Sequence, residues 1–390
     1  MIENKHIHEK VIIAGLLIKD ENPKLFEEDI EEMVMLCTTA GAEVADVVVQ
    51  KRLRPEASTY LGEGKLVELR ALMRQKGAKT LVVDAHLSPG QVRNVEKLIN
   101  AKVLDRGQVI LDIFALHART VEAKVQVELA QMRTLYPRLT HAWTHFSQQV
   151  GGIGTRGPGE KQLEVDRRLV QKKIRDLKQR LQKIERNREV QGKGRSKVFK
   201  ASLVGYTNVG KSSVLNALSG SDVLVENKLF ATLDTSTRRT YIPGAGSIVI
   251  SDTVGFLRKL PHHLVASFRS TLRVVSEAQL LLVVLDASSE FFDQQLATVE
   301  KVLEELKAEK IPKILVFNKF DLVQDPFTRK KLSLAYPEAM FVSAFSKEDM
   351  DRLKERISEY IKQHKREEQA ESIIKTGTKK IMRDIEHHLF

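Results

Sequence analysis

Cysteine is almost missing from these 390 residues: Cys37 stands alone. That excludes an internal disulfide and any metal site built from cysteines, and it agrees with a reducing compartment. Long apolar runs are missing as well. Stretches such as Leu280 to Leu285 fall far short of the roughly 18 residues that a membrane span needs. Insertion into a membrane is therefore not expected. The opening MIENKHIHEK is too polar for a secretory signal, so a soluble cytoplasmic chain is expected. What the sequence does contain is ordinary globular material. Hydrophobic residues make up 42% and charged residues 29%, which excludes disordered, collagen-like and low-complexity classes. At roughly 100 to 200 residues per domain, the length predicts two to four domains, each able to bury its own core.

The net charge of +12 is concentrated in one place. Residues 156–200 hold sixteen Lys or Arg against six Asp or Glu, which is +10 of the total, and the rest of the chain is nearly neutral. A basic element with few, aliphatic apolar residues points to RNA rather than to a membrane surface. The plain alternative is a solvated helix face.

Alternating β-branched runs and helical periods predict strands at Lys10 to Ile18, Val44 to Val49, Thr80 to Asp84 and Lys102 to Leu104. Helices are predicted between them at Lys24 to Thr39, Gly64 to Lys76 and Ser88 to Asn100, the last capped by Ser88 with Pro89 in its first turn. This pattern defines a small α/β domain over residues 1–118 with a mostly parallel sheet. A helix from Arg119 is expected to end before Pro137. A second runs from about Gly159 to Val190, with Leu163, Val170, Ile174, Leu177, Leu181 and Ile184 forming a heptad seam. Together they predict an antiparallel hairpin over 119–191 whose tip carries Gly151, Gly152, Gly154, Gly157 and Gly159. Trp143 and Phe146 near this tip are candidates for base stacking or for packing under a loop. His141 and His145 do not make a metal site by themselves.

A linker over 192–198 leads into a larger α/β unit over 199–365, and residues 366–390 form a charged tail. The larger unit has strands expected at Phe199 to Val204, Ser247 to Asp252, Leu280 to Asp286, Ile314 to Asn318 and Ala339 to Ser343, and a final helix at Met350 to Gln363.

The chemistry is in this unit. Gly205-Tyr206-Thr207-Asn208-Val209-Gly210-Lys211-Ser212 matches the phosphate loop GxxxxGK[ST], follows a buried strand and opens a helix near Ser213. Such a loop curls its N–H groups around phosphates, directs Lys211 at the β and γ oxygens, and offers Ser212 to magnesium. Asp252-Thr253-Val254-Gly255 places a carboxylate at a strand's end, where it reaches magnesium through water, and leaves the Gly255 N–H for the γ-phosphate. Asn318-Lys319-Phe320-Asp321 follows another strand. Asp321 there can accept from both N1–H and the exocyclic amine of guanine, a pairing adenine cannot make. Ser343-Ala344-Phe345 supplies an Ala344 N–H for guanine O6. The four signals in this order make a guanine-nucleotide enzyme, with GTP and GDP as its ligands. Lys211 and Gly255 are assigned to the reacting phosphoryl group.

Between these motifs lies Phe230-Ala231-Thr232-Leu233-Asp234-Thr235-Ser236-Thr237. A switch segment needs one threonine to complete the magnesium shell. Thr232 is the choice, with Thr235 and Thr237 as alternatives. Position 256, where Ras-type enzymes keep a water-orienting glutamine, holds Phe256. Intrinsic hydrolysis should therefore be slow unless a partner completes the site. Asn208 is a candidate ligand for a potassium ion near the phosphates, and equally a candidate cap of its own loop.

Upstream markers, Tyr60-Leu-Gly-Glu-Gly-Lys65, Asp105-Arg106, Leu111-Asp-Ile-Phe-Ala115, Ala118-Arg-Thr120 and Gly151-Gly-Ile-Gly-Thr-Arg-Gly-Pro-Gly-Glu160, resemble the HflX family of translational GTPases over nearly the full length. The resemblance implies a doubly wound, mostly parallel P-loop GTPase domain preceded by a small α/β domain and a helical hairpin. It favours Thr232 as the switch threonine. It also implies a monomer that binds the 50S subunit and its rRNA as a splitting, rescue or recycling factor, with hydrolysis stimulated by ribosomes. Competing readings are an RNA-remodelling motor whose amino-terminal domain consumes ATP, and a GTPase of ribosome assembly or RNA modification. The Gly62-Glu63-Gly64-Lys65 segment lacks phosphate-loop spacing, so a structural turn or an rRNA phosphate contact is preferred there.

Overall fold

The computed structural model describes residues 9–142, 158–192, 198–220, 229–230, 236–259 and 272–366. The first sheet is wholly parallel, with strands β1 (Lys10–Ile18), β2 (Glu43–Arg52), β3 (Thr80–Val83) and β4 (Lys102–Asp105) in the order β2-β1-β3-β4. Helices α1 (Pro23–Thr39), α2 (Glu63–Lys76) and α3 (Pro89–Ile99) make the crossovers. Local chemistry sets their ends. Ser88 and Gln91 form a reciprocal capping box in front of Pro89, and Asn100 closes α3 in the left-handed region at φ 55°.

Helix α4 (Arg106–His117) was not anticipated by the sequence reading. Its residues Val109, Ile110, Leu111, Ile113 and Phe114 are all buried, so no polar stripe marks a helical period. Its start was nevertheless written locally: Asp105 and Gln108 form a second capping box.

The long pair α5 (Val121–Ala142) and α6 (Pro158–Gly192) is antiparallel. Late Tyr136 meets early Arg167, at 3.0 Å, and Gln171, while earlier Glu128 meets later Lys173 at 2.7 Å. Val125 and Leu129 close on Leu177, with Met132, Ile174, Leu181 and Ile184 packed around them. This is the heptad seam. Pro137 does not end α5, contrary to expectation; it lies inside the helix. A proline removes one backbone bond, and here the turns beyond it are held from outside. Tyr136 hydrogen-bonds to α6, and Arg138 reaches Asp105 at 3.9 Å. The glycine-rich segment 151–157 and Trp143, His145 and Phe146 lie outside the described residues.

The second sheet has six strands: β5 (Lys200–Gly205), β6 (Ser236–Ile242), β7 (Gly246–Asp252), β8 (Leu280–Asp286), β9 (Lys313–Asn318) and β10 (Met340–Phe341), in the order β10-β9-β8-β5-β7-β6. All neighbours are parallel except β6 with β7. The hairpin strand β6 went unpredicted because STRRTYI carries exposed polar residues that suit an edge. Helices α7 (Lys211–Ser219), α8 (Phe292–Glu305), α9 (Pro326–Ala335) and α10 (347–366) cover the faces. The fold is thus α/β and multidomain, with mostly parallel sheets and a doubly wound P-loop unit. One apolar cluster runs from Val11, Ile13 and Met33 through Phe114 into Phe230, Leu203 and Ile250, so the two sheets share a core.

Candidate nucleotide site

Strand β5 is the pivot of its sheet: the chain goes from it to β7 on one side and β8 on the other, and a crevice opens at the carboxyl ends. The phosphate loop, 205–210, sits there. Gly205 has φ 156°, and a Cβ on it would run into the Val284 carbonyl oxygen. Gly210 has φ 89°, and a Cβ there would strike the Asn318 amide. No side chain caps α7, so the N–H groups of its first turn are directed into the crevice.

Helix α7 begins at Lys211, two residues before the position expected from the sequence. The Lys211 ammonium donates to the Tyr206 carbonyl at 2.6 Å, and a Cβ on Gly255 would come within 2.9 Å of its Nζ. Ser212 Oγ donates to Asp252 Oδ2 at 2.5 Å. Lys211, Ser212, Asp252 and Gly255 are therefore brought together. Burial pushes the Lys211 amine down to about 8, with the Asp252 carboxylate opposing the shift. Nucleotide phosphates would raise it again. The expected outcome is GTP affinity that is constant below pH 8 and falls by up to about tenfold per unit above it, with proton uptake on binding. Calorimetry at pH 8.5 in two buffers of different ionisation heat reads this directly, and zero uptake would show that Lys211 is already fully charged before GTP binds.

On the base side, Asn318 is a clamp. Its Nδ2 donates to Val209 O at 2.8 Å and its Oδ1 accepts from Ala344 N at 3.0 Å, tying the phosphate loop to the Ser343-Ala344 loop. Lys319, at φ 58°, pairs with Asp286 at 2.6 Å. Asp321 is exposed on the 3-10 turn Phe320–Leu322, and Phe345 is 91% exposed. Ser343 is buried, its N–H bonded to Asp349 at 2.8 Å. Tyr206, Thr207, Val209, Thr253 and Val254 are buried. Thr253 Oγ1 donates to Leu203 O at 2.7 Å. Ser213 is half-buried on α7. Asn208 is exposed at φ 60°, and its side chain makes no hydrogen bond among the described residues. The capping alternative is therefore not what holds it.

Phe230 is buried, edge-on to Phe114 at 4.8 Å between centroids. Ala231, Thr232, Leu233, Asp234 and Thr235 lie outside the described residues. Thr237 is on β6, its hydroxyl 3.0 Å from Ser251 Oγ. Phe256 is 2% exposed, and its backbone pairs with the phosphate loop through Phe256 N to Gly205 O at 3.0 Å and Thr207 N to Phe256 O at 2.9 Å. Its ring belongs to the core. Phe256→Leu should therefore keep basal hydrolysis while lowering unfolding stability by about 1 kcal/mol. Single-turnover rates and a denaturant melt on one preparation check both halves.

Sequence reasoning missed what lies beneath the loop. Tyr206 donates its hydroxyl to Glu32 of α1 at 2.5 Å and accepts from Arg258 N at 2.9 Å. Arg258 pairs with Asp29, while Lys259 reaches Asp29 at 2.9 Å and Asp84 at 3.3 Å. The carboxylates of the amino-terminal unit lie at least 174 positions from these partners and leave no local signal.

Three family models match in succession: a GTP-binding GTPase N-terminal region over residues 27–115, a GTP-binding GTPase middle region over 117–195, and a 50S ribosome-binding GTPase over 200–319. GTPase HflX of Flavobacterium psychrophilum is 41% identical over 385 residues, covering 93% of each chain. That of Escherichia coli K12 is 46% identical over 303 residues, 76% of this chain and 70% of the relative. The crystal structure of SsGBP with GDP aligns over 91% of this chain and 99% of that one, with a TM-score of 0.51 at 23% identity, which supports the fold. A continuous match at this identity, over a chain that carries the phosphate loop and the guanine motifs in order, shows that the protein belongs to the HflX family of GTPases and hydrolyses GTP.

Proposed function

We propose that this GTPase binds the large (50S) ribosomal subunit and its rRNA and acts as a GTP-controlled splitting, rescue or recycling factor. The observation that carries the reading is the face of α6. Arg167, Arg168, Lys172, Lys173, Arg175, Lys178 and Arg180 are exposed along it, while Leu177 is buried in the seam. A rigid helix pair with its apolar residues consumed internally presents its charge to a polyanion. The description of the matched GTPase region as 50S ribosome-binding supports the same partner.

In this reading residues 1–118, 119–191 and 199–365 act as amino-terminal domain, RNA-binding arm and G domain, with 192–198 as linker and 366–390 as tail. The protein works as a monomer. No described helix is long and apolar enough to cross a membrane. Lys211 neutralises charge on the transferred phosphoryl group, and the Gly255 N–H reads the γ-phosphate. Ser212 and Asp252 are hard oxygen donors 2.5 Å apart at the mouth of the loop, a set that suits magnesium. Thr232 adds the switch ligand. The ion, when bound, spreads the charge of the β and γ oxygens. With Phe256 buried, no side chain beside Gly255 orients water among the described residues, so the isolated protein is slow and the ribosome completes the site.

Asn208 then serves a potassium ion, and hydrolysis should run at least threefold faster in potassium than in sodium chloride, with Asn208→Ala removing the difference. Equal rates in both salts would exclude that role. The reading as a whole is tested by sedimenting the protein with ribosomal particles under GTP analogue, GDP and no nucleotide. Co-migration with 50S particles that depends on the GTP analogue is expected. Absence from the 50S fraction in all three states would overturn it.

A further inference from the structure

The first sheet borders a cavity whose lining shares no residue with the nucleotide motifs. Its volume is about 400 Å³, and it lies between α1, α4 and one face of the sheet, opening where β1, β3 and β4 begin. A space of this size falls in the range of small-molecule pockets. The floor is apolar. Val11, Val82 and Val109 are buried there, together with Cys37. Desolvation, with Asp84 adding to it, pushes the Cys37 thiol up to about 12, so it stays neutral and packs as a small apolar group.

The rim decides what class of molecule the floor can receive. Glu9, Lys102 and Asp112 stand there, two negative charges against one positive. The carbonyl end of α1 borders the cavity as well, at Thr39, Ala40 and Gly41, and its last turn has no basic side chain to balance the helix dipole. The hydroxyl donors are already committed: Thr39 Oγ1 donates to Met35 O at 2.7 Å, and Thr80 Oγ1 donates to Glu9. What the rim offers is therefore acceptor capacity and negative charge. Asp112 makes no hydrogen bond or ion pair among the described residues. Partial desolvation pushes its carboxyl above its ordinary value, with Lys102 opposing the shift and Glu9 adding to it. A cation would relieve both the desolvation and the repulsion, whereas a phosphate would be repelled by the same groups. No cluster of three or more His, Cys, Asp or Glu able to hold a metal ion occurs among the described residues, which leaves an organic cation.

We infer that this cavity is a binding site for a small aliphatic ammonium ion. The hydrocarbon body lies over Val11, Val82 and Val109, and the ammonium donates to Asp112 and Glu9. Lys102 holds the net charge of the rim at a value that suits a monocation. Leu116, an exposed leucine at the mouth, gains cover when the hydrocarbon is bound.

The test titrates the full chain with n-pentylammonium, n-pentanol and pentanoate while following the methyl NMR signals of Val11, Val82 and Val109. Pentylammonium should shift these signals saturably and bind about tenfold more tightly than pentanol, which has the same chain and no charge. Pentanoate should not bind. Asp112→Asn, on the exposed side of α4, should weaken pentylammonium by about tenfold, and Lys102→Gln should tighten it about two- to threefold by removing the positive charge of the rim. GTP affinity should be unchanged in both variants. Equal binding of the ammonium and the alcohol would show an apolar void without a cation site, and preference for pentanoate would reverse the charge assigned to the rim. Valine signals that do not saturate with pentylammonium would overturn the site itself. These three outcomes are read on the wild-type chain, so they stand even where a variant fails to fold. An unchanged affinity in a folded Asp112→Asn would overturn recognition by the rim.

Discussion

Asp321→Asn should lower GTP affinity by about 1 to 3 kcal/mol, and it should raise affinity for the xanthine nucleotide. The substitution converts one acceptor oxygen into a donor facing the N1–H and amine edge of guanine, while the xanthine edge presents an oxygen where guanine has its amine. The structure strengthens the argument because the surroundings of Asp321 are fixed before any base arrives. Asn318 is hydrogen-bonded on both sides, to Val209 O and Ala344 N, and Lys319 is pinned to Asp286. A short 3-10 turn then sets Asp321 two residues further on. Its carboxylate is exposed, so the substitution removes no interior contact and stability should hold within about 0.5 kcal/mol. Competition binding of GTP, ATP and xanthosine triphosphate to wild type and variant measures the switch. Equal affinity of the wild type for GTP and ATP would show that Asp321 does not read the base.

How much of this was legible in the sequence differs between the two sheets. The strands that carry the motifs are legible within a few residues of their observed bounds, because each holds a largely buried apolar run stopped by a polar residue, as at Asp252, Asp286 and Asn318. Strand β10 was read too long. Only Met340 and Phe341 pair with β9, since Ser343 gives its N–H to Asp349. The signals that failed were those needing a partner to be seen. Helix α4 has no clear polar stripe because its exposed side carries Ala115 and Leu116 beside Asp112, and β6 is polar because it is an edge. Pro137 reads as a stop until Tyr136 is seen bonded across to α6.

The candidate site was legible as a set of motifs but not as a mechanical object. Phosphate-loop spacing marks Tyr206 as one of four variable positions, yet its hydroxyl is the point where the loop meets α1. Arg258 and Lys259 look like ordinary surface cations in sequence, although both are engaged by carboxylates with no more than 4% side-chain exposure. Composition showed the charge of 156–200 at once, because charge sums without regard to fold. Which side of the hairpin the charge occupies needed the seam.

That side carries the last expected result. Arg175→Gln, Lys178→Gln and Arg180→Gln together should weaken 50S binding by tenfold or more near 100 mM salt and make its dependence on log salt shallower by about 2, since each lost phosphate contact removes roughly 0.7 to 0.9 of a released counterion. All three side chains are exposed, and each lies beside a seam residue without belonging to the seam: Ile174, Leu177 and Leu181 pack inward against Val125, Leu129 and their neighbours. Glutamine is nearly as good a helix former as lysine or arginine, so α6 should persist. GTP binding should be unchanged because the substituted residues lie on a helix that contributes nothing to the phosphate loop or the base clamp. The hairpin's ion pair between Lys173 and Glu128 is left intact. A solvated face would behave differently: the charges would carry no ordered phosphate contacts, and removing three of them would leave both affinity and salt slope unaltered. Binding isotherms at four salt concentrations, with circular dichroism to verify helicity, separate the outcomes. An unchanged slope would move the ribosome contact off the arm, to the two α/β units, where basic and acidic residues nearly balance and the electrostatic drive is correspondingly weak.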